Sequence, residues 1–444
     1  MVGTKTPRHG AMTRAAVAIG VSLLAVAGSL AVPAPATAQT IRQAQWHLDA
    51  LRINQAHALT RGAGVVVAVV DTGVGSHPDL VGQVLPGTAL AGLPGDGRTD
   101  TDNHGSRMAG IIAGRGGGPN HVLGIAPGSK ILPVRVASDG ESQPDADVAA
   151  GIRWAADHGA RVINVSTAGP TQSPALQDAA RHALARDAVV VAGAGNTTQG
   201  MSAVGTPASI PGVVAVSGTG RDGDFWRGSV QGKEVALAAP AQDIVTTSPR
   251  QRTGFGKSSG TSDATAIVSG AVALIRARFP KLNAANVINR LVKGADDQGP
   301  VGRDPKYGFG KLDIVRALNA NVPAVTANPL GQPGGSPETT EATLEPYKRH
   351  DAGVFEPLRS TKTMGTIVTV VLGLGCLVVV AMAVWGIVGG IRGSRRKRPP
   401  APPGEPPAGV PGPPPGPPPP GWQNGVSGQP QAYRAPRPPE KRRT

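Results

Sequence analysis

Short runs of β-branched and other apolar residues recur along the middle of the chain, and helix-like patterns separate many of them. The apolar runs cover residues 65–70, 130–136, 161–165, 188–192, 213–216 and 235–238. Between them, residues 145–157 and 173–186 place apolar side chains at helical spacing. Fully apolar strands that alternate with amphipathic helices predict a parallel sheet with helices on both faces. We therefore predict an α/β fold whose functional groups collect at the carboxyl ends of the strands.

A longer apolar segment lies near the start of the chain. Three basic residues precede an apolar run from about residue 15 to residue 32, and Ala36-Thr37-Ala38 follows as a small-residue cleavage pattern. This arrangement is typical of a secretory signal peptide. We therefore predict that residues 1–38 are removed and that the region after them is exported.

A second long apolar segment, residues 364–391, contains no charged residue and can cross a bilayer of about 30 Å. Five basic residues follow directly, between Arg392 and Arg398, which predicts that this side faces the cytoplasm. We expect a single-pass cell-membrane protein whose folded region, residues 39–322, lies outside the membrane. Residues 323–363 should be an extracytoplasmic linker, and residues 392–444 a basic, proline-rich cytoplasmic tail.

Charge and cysteine content narrow the possible partners. The net charge is +15, but the predicted tail holds ten Lys and Arg residues against Glu405 and Glu440, and the leader holds three more basic residues. Most of the excess charge thus lies outside the folded region, and no nucleic-acid partner is implied. The single cysteine, Cys376, lies in the predicted span, so the exported domain must depend on its core for stability.

A small-residue loop, residues 258–266, runs directly into the apolar residues 267–275. This pattern predicts a helix with Ser262 near its N-terminus, where backbone N–H groups and the helix dipole favour developing negative charge. Two interpretations remain open from this stretch alone. Ser262 is a nucleophile, or it only caps the helix.

Three other polar residues stand where predicted elements begin or end. Asp71 follows the strand pattern 65–70, where a buried carboxylate needs a hydrogen-bond partner such as histidine. His104 opens a stretch of small residues that suits a tightly packed helix. Asn196 ends Gly-Ala-Gly-Asn, where its amide could donate to an oxyanion. Each one alone also has an ordinary explanation, as a metal or phosphate ligand, a structural histidine or a turn asparagine.

The order of these residues separates the serine-hydrolase architectures. An α/β-hydrolase needs its acid and histidine after the serine. The only histidine after Ser262 is His350, which lies in the predicted linker, so this architecture is excluded. The order Asp, His, Ser is that of subtilisin. The chain resembles the subtilase family in four motifs, those around Asp71, His104, Asn196 and Ser262.

This resemblance implies a subtilisin-like three-layer fold with a mainly parallel central sheet, acting as a serine endopeptidase on proteins or peptides. By resemblance, Asp71 would orient the imidazole, His104 would act as general base and then acid, and Ser262 would attack the scissile carbonyl. Asn196 and the backbone N–H of Ser262 would hold the oxyanion. Residues 164–169 and 192–195 would line the substrate cleft.

No cofactor or metal site is expected. The chain has neither a His-Glu-x-x-His motif nor a cysteine pair. Structural calcium is left open, because sequence does not settle it.

Within the subtilases the layout is most similar to that of the mycosins, membrane-anchored proteases associated with type VII secretion in actinobacteria. That layout is a signal peptide, a short segment containing Gln-Trp-His-Leu-Asp-Ala-Leu at residues 45–51, a catalytic domain and one C-terminal span. It implies exported proteins as substrates and type VII secretion components as partners. The competing interpretation is a structural subunit of the secretion assembly with a weak or inactive protease site.

The sequence departs from the family pattern at three points. Ser106 replaces the threonine usual after His-Gly, and no cysteines match the disulfides of several mycosins. Asp263 follows the serine where the family usually has a bulkier apolar residue. Two alternatives are open for Asp263: its carboxylate disfavours the oxyanion, or it faces solvent.

Overall fold

The computed structural model describes residues 39–138, 144–169 and 173–333. A parallel sheet forms its centre, and each of the six strands predicted from the sequence is present with slightly shifted ends. The strands are β1 Val66–Asp71, β2 Thr88–Ala89, β3 Lys130–Arg135, β4 Val162–Val165, β5 Val189–Gly193, β6 Val214–Thr219 and β7 Leu237–Pro240. Their order in the sheet is β2-β3-β1-β4-β5-β6-β7. An antiparallel hairpin of β8 Ile244–Thr247 and β9 Phe255–Ser258 lies outside this sheet.

The helices of the described residues include both that were predicted from periodicity. They are α1 Ile41–Ala44, α2 Trp46–Ala50, α3 Ile53–Leu59, α4 His104–Ala113, α5 Asp145–Asp157, α6 Pro174–Ala185, α7 Thr261–Arg278, α8 Ala284–Gly294 and α9 Ile314–Asn319. α5 and α6 confirm the patterns at residues 145–157 and 173–186. The pattern analysis missed α1, α2 and α3, because helices of 4, 5 and 7 residues are too short to show a period.

Side chains alternate along the strands between two cores, which makes the domain three-layered. On β1, Val67 and Val69 belong to a core with α4, α7 and α8, whereas Ala68 and Val70 belong to a core with α5 and α6. Helices therefore cover both faces of the sheet, as predicted. α7 is buried along most of its length, which accounts for its continuous apolar sequence.

The sheet topology fixes where a site can form. β3 and β2 extend the sheet on one side of β1, and β4 to β7 extend it on the other side. Such a switch point opens a crevice at the carboxyl ends of the strands. Asp71 is the last residue of β1 and therefore lies at this crevice.

Several predicted segments fall outside the described residues. These are the leader 1–38, the span 364–391, the tail 392–444 and most of the linker 323–363. No helix within the described ranges is long and apolar enough to cross a bilayer. The membrane topology thus stays a prediction from the sequence.

Candidate active site

Asp71 and His104 form a buried pair at the end of β1. Nδ1 of His104 lies 2.7 Å from Oδ1 and 2.9 Å from Oδ2 of Asp71. The two side chains are 2% and 0% exposed. His104 begins α4, and Gly105 permits the close approach, since a Cβ there would lie 2.1 Å from the carbonyl oxygen of Gly73. The structure thus brings these two predicted residues together, with the imidazole placed to donate to the carboxylate.

A second buried carboxylate, Asp100, holds the start of α4. It accepts hydrogen bonds from the hydroxyl and the backbone N–H of Ser106 at 2.6 and 2.8 Å, and from the Thr72 hydroxyl at 3.0 Å. The Thr72 oxygen accepts in turn from the N–H of Gly105 at 3.0 Å. Burial raises the pKa of Asp100, against the lowering effect of its bonds to Ser106. Ser106, a departure from the family pattern, therefore retains a hydroxyl that anchors the helix carrying His104.

Ser262 is the second residue of α7, and Gly260 is the N-cap. The Ser262 hydroxyl donates to the backbone carbonyl oxygen of Ser166 at 3.0 Å. The hydroxyl of Ser166 donates back to the carbonyl oxygen of Ser262 at 3.2 Å. The interpretation that Ser262 only caps the helix is wrong, because its hydroxyl bonds to a neighbouring strand end and not to the first turn.

Asn196 lies beside the start of α7. Its Oδ1 accepts from the N–H and the hydroxyl of Thr261 at 2.9 and 3.2 Å, which assigns the orientation of the amide. A Cβ built on Gly260 would lie 3.8 Å from Nδ2 of Asn196 and 3.7 Å from the backbone nitrogen of Ser262. The side-chain amide and the Ser262 N–H therefore border one small space. Nδ2 also donates to the Gln199 side chain at 3.2 Å.

Asp263 is buried, with only 2% of the residue exposed. Its Oδ1 accepts from the Ser258 hydroxyl at 2.8 Å. Burial raises the pKa of Asp263 to about 6, although Arg107, the Ser258 bond and His104 each pull it down. The solvent-facing alternative is therefore wrong. Near neutral pH a largely ionised carboxylate lies beside Ser262 and within electrostatic range of His104.

Sequence reasoning missed the hydrogen bonds by which neighbouring residues support the site. Thr72 follows Asp71 and Asp100 precedes His104 by four positions, but neither belongs to a motif that marks it. Ser166 is held by Asn164, whose Nδ2 donates to its hydroxyl at 2.9 Å. These contacts join separate elements, so local patterns could not show them.

Two further Asp–His pairs were also missed. Nε2 of His182 in α6 lies 2.8 Å from Oδ1 of Asp157, the last residue of α5. Nδ1 of His121 lies 2.6 Å from Oδ1 of Asp79, between the segments that follow α4 and β1. Among the described residues, no group of three or more His, Cys, Asp or Glu side chains is arranged to hold a metal ion.

The fold is that of a subtilisin-like serine protease. The profile of the subtilase family matches residues 62–310, more than half of the chain. The chain therefore belongs to the subtilase family of serine proteases, as the motifs predicted.

Two known proteins and one solved structure illustrate the relationship. Mycosin-1 of Mycobacterium tuberculosis (strain ATCC 25618 / H37Rv) is 32% identical over 387 residues, which cover 75% of this chain and 84% of mycosin-1. Subtilisin DY of Bacillus licheniformis is 34% identical over 261 residues, 58% of this chain and 92% of its own. The structure of MycP1, described as a serine protease and an essential component of the type VII (ESX-1) secretion system, matches with a TM-score of 0.55 and 33% identity. That match covers 62% of this chain and 88% of MycP1, and the predicted similarity to mycosins is confirmed.

Proposed function

We propose that this protease is a membrane-anchored endopeptidase that cleaves exported proteins through an acyl-enzyme, with Asp71, His104 and Ser262 as its catalytic triad. The observation that carries the proposal is the buried Asp71–His104 pair at the switch point of the sheet. His104 lies close enough to the first turn of α7 to affect the pKa of Asp263, the neighbour of Ser262.

The proton movements follow from this geometry. Asp71 accepts from Nδ1–H, which leaves the Nε2 lone pair of His104 as the base. The Ser262 hydroxyl turns from the Ser166 carbonyl towards Nε2, gives up its proton, and its oxygen attacks the scissile carbonyl. His104 then protonates the leaving amine as the peptide bond breaks and the acyl-enzyme forms. Water, deprotonated by His104, attacks the ester, and the proton returns to Ser262 as the acid product leaves.

The negative charge of the tetrahedral intermediate develops beside α7. Nδ2 of Asn196 and the N–H of Ser262 would donate to this oxyanion, and the positive end of the α7 dipole adds to the stabilisation. The carboxylate of Asp263 opposes that charge, while Arg107 offsets part of its field. We therefore assign Asn196 as the oxyanion donor.

A fluorophosphonate probe tests the proposal, because it reacts covalently only with an activated serine. The full chain should label, Ser262→Ala should not, and the nearby control Ser259→Ala should label like wild type. Equal, weak labelling of wild type and Ser262→Ala would refute the enzyme proposal. That result would instead favour a structural subunit, for which the bond from the Ser262 hydroxyl to Ser166 is the supporting observation.

Membrane anchoring and the link to type VII secretion rest on the sequence pattern and on relatives. We propose that residues 364–391 anchor the domain on the outer side of the membrane and that secretion components are its partners. The full chain should fractionate with membranes, and a chain ending at residue 363 should be released. Co-purification from detergent-solubilised membranes should recover secretion components, whereas recovery of the protein alone would contradict the association.

A further inference from the structure

The chain segments that follow β4 and β5 both contact the start of α7. The carbonyl oxygen of Ser166 accepts from the Ser262 hydroxyl, and the N–H of Gly195 donates to the Thr261 hydroxyl at 3.3 Å. We call the space between residues 166–169 and residues 193–195 the slot, and these two segments its walls. Two backbone hydrogen bonds between Gly169 and Thr206, at 2.9 and 2.8 Å, connect the wall that follows β4 to the segment around residue 206. A substrate carbonyl held at Ser262 and Asn196 would lie where the two walls begin, since Ser166 contacts Ser262 and Gly195 precedes Asn196, and its own side chain would then face the slot.

The side chain of Met201 occupies the slot. A Cβ built on Gly195 would lie 2.7 Å from Sδ and 2.8 Å from Cε of Met201. A Cβ on Gly205 would lie 2.6 Å from the same Cε and 2.9 Å from the Cβ of Ala168. The two glycines thus leave the room that the thioether fills. Met201 is buried, with 8% of the residue exposed.

The side chains beside the Met201 thioether are apolar. Ala168 borders the same Cβ position of Gly205, and Val230 Cγ2 lies 3.5 Å from the Cβ position of Gly195. The carbonyl oxygen of Gly169, 2.9 Å from the Cβ position of Gly205, already accepts from the N–H of Thr206. A buried charge in such surroundings would have no compensating partner among these groups. A long or aromatic side chain would have to displace the thioether, and overfilling a packed site costs about 1–3 kcal/mol.

We propose that Met201 determines substrate specificity: it closes the slot so that the residue supplying the scissile carbonyl must be small and uncharged, such as Ala, Ser or Gly. This inference rests on the proposed function, because it takes Ser262 and Asn196 as the groups that hold the carbonyl. Met201 acts on the choice of substrate and takes no part in proton transfer.

A peptide library in which only the residue before the scissile bond varies tests the inference on the full chain. Wild type should prefer Ala and Ser to Leu and Phe. Met201→Ala should shift the ratio of kcat/KM for Phe over Ala upwards by about 10- to 100-fold. Met201→Leu, which conserves volume, should keep the wild-type profile, and Met201→Val should lie between them. A wild-type preference for Phe or Leu, or an unchanged profile in folded Met201→Ala, would overturn the inference.

A second measurement separates this inference from the proposed function. Fluorophosphonate labelling reports whether Ser262 is active, and Met201→Ala should label like wild type. Isothermal titration of Ser262→Ala with blocked tetrapeptide acids ending in Ala or in Phe needs no turnover. Tighter binding of the Ala peptide, reversed by the added change Met201→Ala, supports the inference even without labelling. Equal binding of both peptides before and after that change would refute it.

Discussion

Two Asp–His pairs in this molecule have nearly the same bond length and different surroundings. His104 lies 2.7 Å from Asp71, and the two side chains are 2% and 0% exposed. His121 lies 2.6 Å from Asp79, but its side chain is 46% exposed. A short bond between carboxylate and imidazole therefore does not by itself distinguish the pair that we propose to be catalytic.

The distinction lies in what else each carboxylate and imidazole meets. The second oxygen of Asp79 accepts from the N–H of Val122 at 2.8 Å, so Asp79 ties one loop to another. Asp71 stands instead at the carboxyl end of a central strand, and its histidine begins a helix fixed by Asp100. The Asp79–His121 pair connects two surface segments, whereas the Asp71–His104 pair places an imidazole at the carboxyl end of the sheet.

Replacing each histidine gives the largest expected contrast. His104→Ala should lower kcat by about 10⁶-fold, the order found when the histidine of subtilisin is removed. His121→Ala should leave kcat close to wild type, because no step uses its imidazole. Peptide turnover measured for both variants checks this. A comparable loss in His121→Ala would break the comparison.

Replacing each carboxylate by its amide should give the next largest contrast. Asp71→Asn should lower kcat by about 10⁴-fold, because the amide favours the wrong histidine tautomer. Asp79→Asn should retain turnover but lose about 1–3 kcal/mol of stability, since a buried acceptor for Val122 and His121 is weakened. Kinetics and urea unfolding of both variants separate the two effects. Full activity in Asp71→Asn would contradict the assigned roles.

The oxyanion assignment extends the contrast to Asn196. Asn196→Asp keeps an acceptor for Thr261 but replaces the Nδ2 donor by a negatively charged oxygen, so it should lower kcat by at least about 10²–10³-fold, the loss found for the corresponding donor of subtilisin. Asn54→Ala, at an exposed position of α3, serves as the control outside the oxyanion space. An unchanged kcat in a folded Asn196→Asp variant would remove Asn196 from the mechanism.

The next prediction concerns the buried carboxyl group of Asp263 and whether Arg107 and the other neighbouring groups compensate its charge. Its folded-state pKa of about 6 exceeds the ordinary aspartate value, so the folded protein binds this proton more readily than the unfolded chain. Stability from this group is therefore present below about pH 4 and is lost as pH rises through 6. Asp263→Asn should be more stable than wild type by up to about 3 kcal/mol at pH 8 and nearly equal to it at pH 4. Urea unfolding of both proteins from pH 4 to pH 8 checks this. If neighbouring groups fully compensated the carboxylate, the difference in free energy of unfolding between the two proteins would be the same at every pH.

His47 provides a third, smaller contrast, because it is buried like His104 but has no hydrogen-bond partner within the described residues. Burial, aided by Arg42 and opposed by Asp49, lowers its pKa to about 3. The unfolded chain binds the proton below about pH 6.5, so stability should fall as pH drops, by about 2 kcal/mol at pH 5. His47→Leu should remove this loss. Thermal unfolding of both proteins at pH 5 and 7 checks it, and an equal pH response would contradict the burial argument.

The sequence predicted the central sheet and the helices that cover it, but it did not predict the shortest strands and helices. The continuous apolar run along β1 and the helical spacing of apolar residues along α5 each follow from local burial, so both can be recognised without knowing which elements they pack against. The edge strand β2 and the helices α1 to α3 are too short to show a recognisable pattern of apolar residues. The hairpin of β8 and β9 was missed for a similar reason, since each strand has only four residues.

Chain order and motif spacing by themselves determined the family, the parallel α/β architecture and the four candidate site residues. Only the tertiary structure decided which aspartate meets which histidine, that Asp263 is buried, and that Met201 fills the slot beside Ser262. The physical reason is separation along the chain. The contacts that build the site, those of His104 with Asp71, Thr261 with Asn196 and Ser262 with Ser166, join residues 33, 65 and 96 positions apart. A local pattern carries no information about such partners.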